Sequence, residues 1–332
     1  MEYVNLGRTG LKVSRICLGC MSFGSPDVDP SLPGRHTWVL DEERSKPFFK
    51  QALDLGINFF DTANVYSSGA SEEVLGNFLK ANTRREDVAI ATKVQGMMRR
   101  GPNGQGLSRK AILFEMDESL RRLKTDYVDL YQIHRWDYDT PIEETLETLH
   151  DLVKAGKTRY IGASSTFAWQ FSKALYLAEK HGWTRFATMQ NHYNLLYREE
   201  EREMLPLCAA EGVGAIPWSP LARGRVTRPW QAETTKRSGA DMYTQALYAS
   251  TEQSDKRVVD RLEEMSKARG LPMAQLALAW VLSKPVVTSP IVGATKPHHL
   301  TDAVAALGVK LTADEVKALE EPYVPHPVAG FS

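Results

Sequence analysis

The chain reads as an α/β protein of the (β/α)8 or TIM-barrel class, with an N-terminal β-hairpin and long loops on the C-terminal face. Three observations predict it. Eight short β-favouring runs alternate with longer stretches of helical period, as repeated βα units require. No G-x-G-x-x-G follows any of those runs, which sets the doubly wound open sheet second. And several otherwise apolar runs end in an ionisable residue, where a barrel gathers its chemistry. Residues 1–332 are read as one domain; the length and a 42% hydrophobic content suffice for one large core.

Taken in order, Leu6-Gly-Arg-Thr-Gly10 reads as a turn joining Tyr3–Leu6 to Leu11–Ser14, a hairpin before the main fold. The eight strands are then Ile16–Gly19, Ile57–Asp61, Val88–Lys93, Val128–His134, Tyr160–Ser164, Thr188–Gln190, Gly214–Trp218 and Thr288–Val292. Helices are expected over Asp41–Leu55, Ala70–Ala81, Ser108–Leu123, Pro141–Ala155, Phe167–Lys180 and Glu199–Glu211, then Asp255–Ala268 with Pro272–Ser283, and Pro297–Ala306. Ser71 is the expected N-cap of the second, with Glu72 and Glu73 in its first turn. Pro141 before Glu143 and Glu144, and Gly156 past the end, mark the fourth. Three connections are long: Ser25–Leu40, Gly96–Leu107 and Pro220–Ser254. The last carries Arg223, Arg225, Arg228 and Trp230 and is expected to form a lid. The proline-rich tail PYVPHPVAGFS is expected to lie back across the barrel.

The charge balance, 41 basic against 41 acidic residues, argues against a general nucleic-acid or membrane-surface binder. No run of about eighteen apolar residues occurs, and MEYVNLGRTG does not resemble a secretory leader, so a cytoplasmic location is expected. Three cysteines fit a reducing compartment. Cys17 and Cys20 form a C-x-x-C, but in an apolar strand with no second pair, so packing rather than redox or metal chemistry is expected.

The chemistry is expected where strand ends meet. Asp61 ends the second strand with Tyr66 just beyond, Lys93 ends the third and His134 the fourth. Each alone has an ordinary structural explanation; their common register on adjacent strands does not. As a set they make an acid: Lys93 beside Tyr66 favours the phenolate, Asp61 holds Lys93, and His134 orients an oxygen gaining negative charge. That suits hydride addition to a carbonyl. Ser164, Ser165, Gln190 and Asn191 offer groups that read a carboxamide, and Trp218 a face for a nicotinamide ring. In IVGATKPHHL, Gly293, Thr295 and Lys296 precede a helix start, the usual phosphate place of such barrels, and Lys296 favours NADP over NAD. Phe23, Trp38, Met97, Met98, Trp136, Trp230 and Phe331 are expected near the mouth, with Phe23, Trp136, Tyr66 and His134 meeting the substrate.

The segments GINFFDTANVYSSGASEEVLG, IATK, VDLYQIH, GKTRYIGASS, QNHYNLL and PWSPLARG occur in an order that resembles the aldo-keto reductases. The GRVTRPW loop and PYVPHPVAGF tail resemble most the branch of YajO-like reductases and potassium-channel β-subunits. The resemblance implies a barrel binding NADPH/NADP+ without a Rossmann motif and reducing an aldehyde or ketone, without metal. It implies Asp61, Tyr66, Lys93 and His134 as a catalytic tetrad, Tyr66 being the acid. Around the cofactor it places Asp61 with Gly19, Cys20 and Met21 at the nicotinamide ribose, and Ser164, Ser165, Gln190 and Trp218 at the nicotinamide. Ser219, Leu221, Arg223 and Gly224 go to the pyrophosphate, and Gly293, Thr295, Lys296, His299 and Asp302 to the adenosine end. The chain departs from common family residues at Ser165, His299, Ala303 and Trp218. The branch also implies an alternative, an NADPH-binding regulatory subunit of a partner protein, and a possible homo-oligomer.

Overall fold

The computed structural model describes residues 1–28, 36–231 and 242–330. Strands β1 (Tyr3–Asn5) and β2 (Lys12–Ser14) pair antiparallel as the expected hairpin. Eight parallel strands follow: β3 (Cys17–Gly19), β4 (Phe59–Asp61), β5 (Ala89–Val94), β6 (Val128–Ile133), β7 (Thr158–Ser164), β8 (Phe186–Gln190), β9 (Gly214–Ala215) and β10 (Ile291–Gly293). They are ordered β10-β3-β4-β5-β6-β7-β8-β9. Backbone bonds across the remaining gap close the ring: Ala215 N to Val286 O (3.1 Å), Thr288 N to Ala215 O (2.8 Å) and Ile291 N to Pro217 O (2.8 Å). The result is the expected (β/α)8 barrel.

Strand alternation builds its interior in layers. Register pairs Asp61 with Ala91, Lys93 with Gln132, and Ser164 with Gln190. Two residues back from Asp61, Lys93 and Gln132 stand Phe59, Ala91 and Leu130. With period two, these face the same side. Phe59, Ala89, Ala91 and Leu130 pack with Leu6 and Val13 of the hairpin region, so an apolar floor lies under a polar layer. The alternate residues Phe60, Ile90, Tyr131, Ile161 and Met189 face outward into the larger core under the helices.

Several bounds differ from expectation for identifiable reasons. The seventh and eighth strands are shorter than expected because Pro217 and Pro290 donate no hydrogen bond to the ladder. Trp218 is tied instead by a bridge to His192. Ser71 is not the cap of helix Ala70–Asn82; Gly69 is. The Ser71 hydroxyl is buried and donates to Cys20 O at 2.8 Å while pairing with Thr62 Oγ1 at 2.9 Å. Helix Ala313–Glu320, capped by Thr312 and Glu315, lies between the last expected helix and the proline-rich tail, where no element is expected from the sequence. Helix Met242–Tyr248 lies within the expected lid loop, held by the buried Leu247 and Tyr248. Residues 232–241 of that loop, 29–35 of the Ser25–Leu40 loop, and Phe331 lie outside the described residues. Among the described residues, no helix is long and apolar enough to cross a membrane.

The tail does return over the barrel. Tyr323 Oη donates to Glu199 at 2.6 Å, Ala329 N to Tyr197 Oη at 3.2 Å, and Gly330 closes on Trp218. Next to Glu199, Glu200 is buried, and burial together with the Glu199 charge pushes its carboxyl up to about 8. Its folded value exceeds its unfolded one, so the folded state holds the proton more tightly and stability falls as pH rises from about 4.3 towards 8. We expect Glu200→Gln to be similar to wild type in thermal unfolding near pH 4.5 and more stable above pH 8. Parallel pH dependence of the two melting curves would refute the assignment.

Candidate active site

The polar layer above the floor is a connected network. Lys93 Nζ, with no exposed surface, donates to Asp61 Oδ1 at 2.5 Å, to Thr62 O at 2.8 Å and to Tyr66 Oη at 3.3 Å. The other Asp61 oxygen accepts from Gln132 Nε2 at 3.1 Å and Gln190 Nε2 at 2.9 Å. Every charge here is paired and hydrogen-bonded, the condition under which a buried ion pair is tolerated. His134 completes the group edge-on to Tyr66, ring centroids 5.7 Å apart.

Electrostatics set the protonation states. Burial would lower Lys93, but Asp61 and Tyr66 hold it above its usual value, so it is an ammonium. Burial raises Tyr66, and the charge of Lys93 offsets this only in part. The lysine therefore does not produce a resting phenolate, as its proximity alone suggests; the phenol keeps its proton. Burial, then the charges of Arg135 and Lys93, push His134 well below the usual imidazole value, leaving it neutral. The site thus holds a protonated phenol touching a cation, beside an uncharged imidazole.

The loop carrying Tyr66 is held from behind. Ser67 and Ser68 have positive φ, and Gly69 (φ 95°) leaves room for Arg122, whose Cδ would stand 2.7 Å from a Cβ there. Arg122 donates to Glu72 at 2.6 Å, Thr92 to Glu72 at 2.5 Å, and Asn64 to Glu115 at 3.0 Å. Glu72, read from sequence as a first-turn acid, is fully buried and ties this loop to β5.

Above the network lies a cavity of about 1660 Å³. That exceeds the ~300–1,000 Å³ of ordinary ligand pockets and leaves room for a dinucleotide with a substrate. Asp61, Tyr66 and His134 line it, with Gly19, Cys20, Met21, Ser164, Gln190 and Trp218. Further along are Ser219, Leu221, Arg223, Gly224, Gly293, Thr295, Lys296, His299, Asp302 and Ala303. Trp218 stacks one face on His192 at 4.2 Å, and His192 on Tyr197 at 4.3 Å, a rigid backing for a planar ring. Ser219, Ala222 and Arg223 have positive φ, a strained turn of the kind that collects at ligand sites. These residues suit a nicotinamide dinucleotide: an aromatic platform, amide and hydroxyl groups, tight turns and a terminal lysine.

Other expectations are corrected. Ser165 does not line the cavity; it is buried, and its Oγ accepts the Trp218 indole N–H at 3.0 Å, steering the ring from its edge. Phe23 is fully buried, 4.7 Å from the Phe49 ring and 5.9 Å from Phe48, so it packs under helix Glu42–Asp54 and does not meet the mouth. Trp136 packs against the outer core and Trp230 under the Arg225 guanidinium; neither lines the cavity, nor does Met98. Trp38 and Met97 do line it. The Cys17 and Cys20 thiols are raised well above their usual value by burial and the Asp61 charge, which fits packing. Sequence reading missed Gln132, enclosed in an apolar strand, and Arg135, which follows His134 and lines the cavity.

A family model described as the aldo/keto reductase family matches residues 15–323. This chain is an aldo-keto reductase family member. It is 46% identical to a versiconal hemiacetal acetate reductase of Aspergillus parasiticus, over 98% of both chains. It is 45% identical to a putative aryl-alcohol dehydrogenase of Schizosaccharomyces pombe, over 99% of this chain and 97% of that one. An aldo-keto reductase of Metarhizium robertsii is 43% identical over all of this chain and 94% of its own. As a family member it is an oxidoreductase for small carbonyl compounds.

Proposed function

We propose that the chain reduces an aldehyde or ketone to the alcohol with NADPH, Tyr66 giving the proton. One observation carries this reading: the buried Lys93 ammonium bridges the Asp61 carboxylate (2.5 Å) and the Tyr66 phenol (3.3 Å) at the cavity wall. Trp218 would hold a nicotinamide, which would supply the hydride. The chain's own residues do the rest. Tyr66 donates its proton to the carbonyl oxygen as negative charge develops there. The phenolate left behind is stabilised by Lys93, which Asp61 keeps charged and aimed. Neutral His134 hydrogen-bonds the same oxygen and fixes its direction.

The names of the relatives support a carbonyl or aryl-alcohol substrate, and cytoplasmic action is the accompanying expectation. The test is direct: NADPH absorbance followed with a reactive aromatic aldehyde, beside a fluorescence titration with NADPH. Tight NADPH binding with no turnover of any aldehyde or ketone would defeat the reading. Lys296 is exposed, without an ion pair among the described residues, at the far end of the cavity, and we assign it to the 2′-phosphate. Lys296→Ala should weaken NADPH about tenfold or more and NADH little; equal losses would remove that assignment.

A further inference from the structure

Among the described residues, five cationic side chains line the cavity, Arg44, Arg135, Arg223, Arg228 and Lys296, against two carboxylates. Both carboxylates are engaged, Asp61 by Lys93 and Asp302 by Gln275 at 3.0 Å. Arg223 and Lys296 belong to the stretch assigned to phosphates. Arg135 does not: it lies at the reacting end, next in sequence to His134.

Its contacts are all neutral. Nη1 donates to His134 O at 2.6 Å and approaches Ser164 Oγ at 3.5 Å; Nη2 approaches Tyr243 Oη at 3.4 Å. The guanidinium lies 6.0 Å from the Trp218 ring centroid. Among the described residues, no carboxylate is within ion-pairing distance of it. A half-buried cation normally acquires a counter-charge, because an uncompensated one costs several kcal/mol or more. The surrounding wall is aromatic: Tyr243 is 6.2 Å from Trp218, and His36 and Trp38 stack 4.8 Å apart on the same cavity.

We propose that Arg135 is a specificity residue, taking the anionic oxygen of an aromatic aldehyde or ketone substrate, either a carboxylate or an ionised phenol. This deepens the carbonyl-reductase reading and rests on it. The planar fork of the guanidinium suits a carboxylate, and a charge-assisted hydrogen bond is the strong kind.

The experiment compares kcat/KM within pairs of similar shape that differ in one negative charge. One arm uses 3- and 4-carboxybenzaldehyde against their methyl esters. The other uses 4-hydroxy-3-nitrobenzaldehyde, whose phenol is ionised at neutral pH, against its methyl ether. Wild type should favour the anion about tenfold or more in at least one arm, and the arm identifies the group. Arg135→Gln should lower that ratio about tenfold, mainly through KM, and Arg135→Lys should restore part of it. Ratios are taken within each protein, so a change in overall rate cancels. No anion preference in wild type, or a ratio unchanged in Arg135→Gln, overturns the proposal; a uniform fall in kcat means Arg135 acts only through His134. Calorimetry with benzoate and benzamide on the NADPH-loaded protein tests Arg135 without turnover. Benzoate should bind wild type more tightly than benzamide and lose that advantage in Arg135→Gln. Should no aldehyde be reduced at all, the reductase reading fails while this binding test still decides Arg135.

Discussion

Tyr66→Phe should bind NADPH as wild type does and lose turnover of an aromatic aldehyde by roughly 10²–10⁴-fold, the span of a general acid's contribution. The substitution removes one oxygen, 3.3 Å from Lys93 Nζ, and keeps the ring against which His134 stands. The cavity and the Asp61–Lys93 pair should stay in place, so the loss should fall on kcat. Full turnover would remove Tyr66 from the mechanism. A pH profile adds a check of sign. The phenol works protonated and its folded value is raised by burial, so kcat in wild type should hold through neutrality and fall only above about pH 10.

Asp61→Ala should be the most damaging change to stability as well as to catalysis. It strands Lys93 as a buried cation and leaves the amides of Gln132 and Gln190 without their shared acceptor. Removing one partner of such a pair costs about 3–5 kcal/mol, readable as a lowered urea midpoint at unchanged slope. The double variant Asp61→Ala with Lys93→Met should recover part of that stability, since no charge is then stranded, and none of the turnover. A single variant within ~1 kcal/mol of wild type would mean water or backbone replaces the carboxylate.

Much of this was legible beforehand because strand period and apolar runs carry the layers. Phe59 and Asp61, or Ala91 and Lys93, announce one face changing from apolar to polar at a strand's end. Gln132 follows the same rule two residues after Leu130, but a neutral amide inside VDLYQIH gives no charge to notice. Thr312 and Glu315 spell a capping box, so helix Ala313–Glu320 was readable in principle. Helix Met242–Tyr248 was not, because it depends on burying Tyr248 against His192 and Asn194, contacts far away in sequence. Side-chain direction was the least legible feature. Phe23 and Trp136 follow strand ends closely enough to suggest the mouth, yet Phe23 turns into the core and the half-buried Trp136 packs against its outside, and only packing decides that. Ser165 shows the same thing on a smaller scale: it meets the edge of the indole and stays out of the cavity.

The hairpin beneath the barrel has a consequence for how the catalyst resets. With Leu6, Val13, Phe59 and Leu130 stacked under Asp61 and Lys93, no water reaches the phenol from below. Every proton spent on product must therefore be replenished from the cavity side, the side on which product also departs. Recharging and release share that side, and they must take turns.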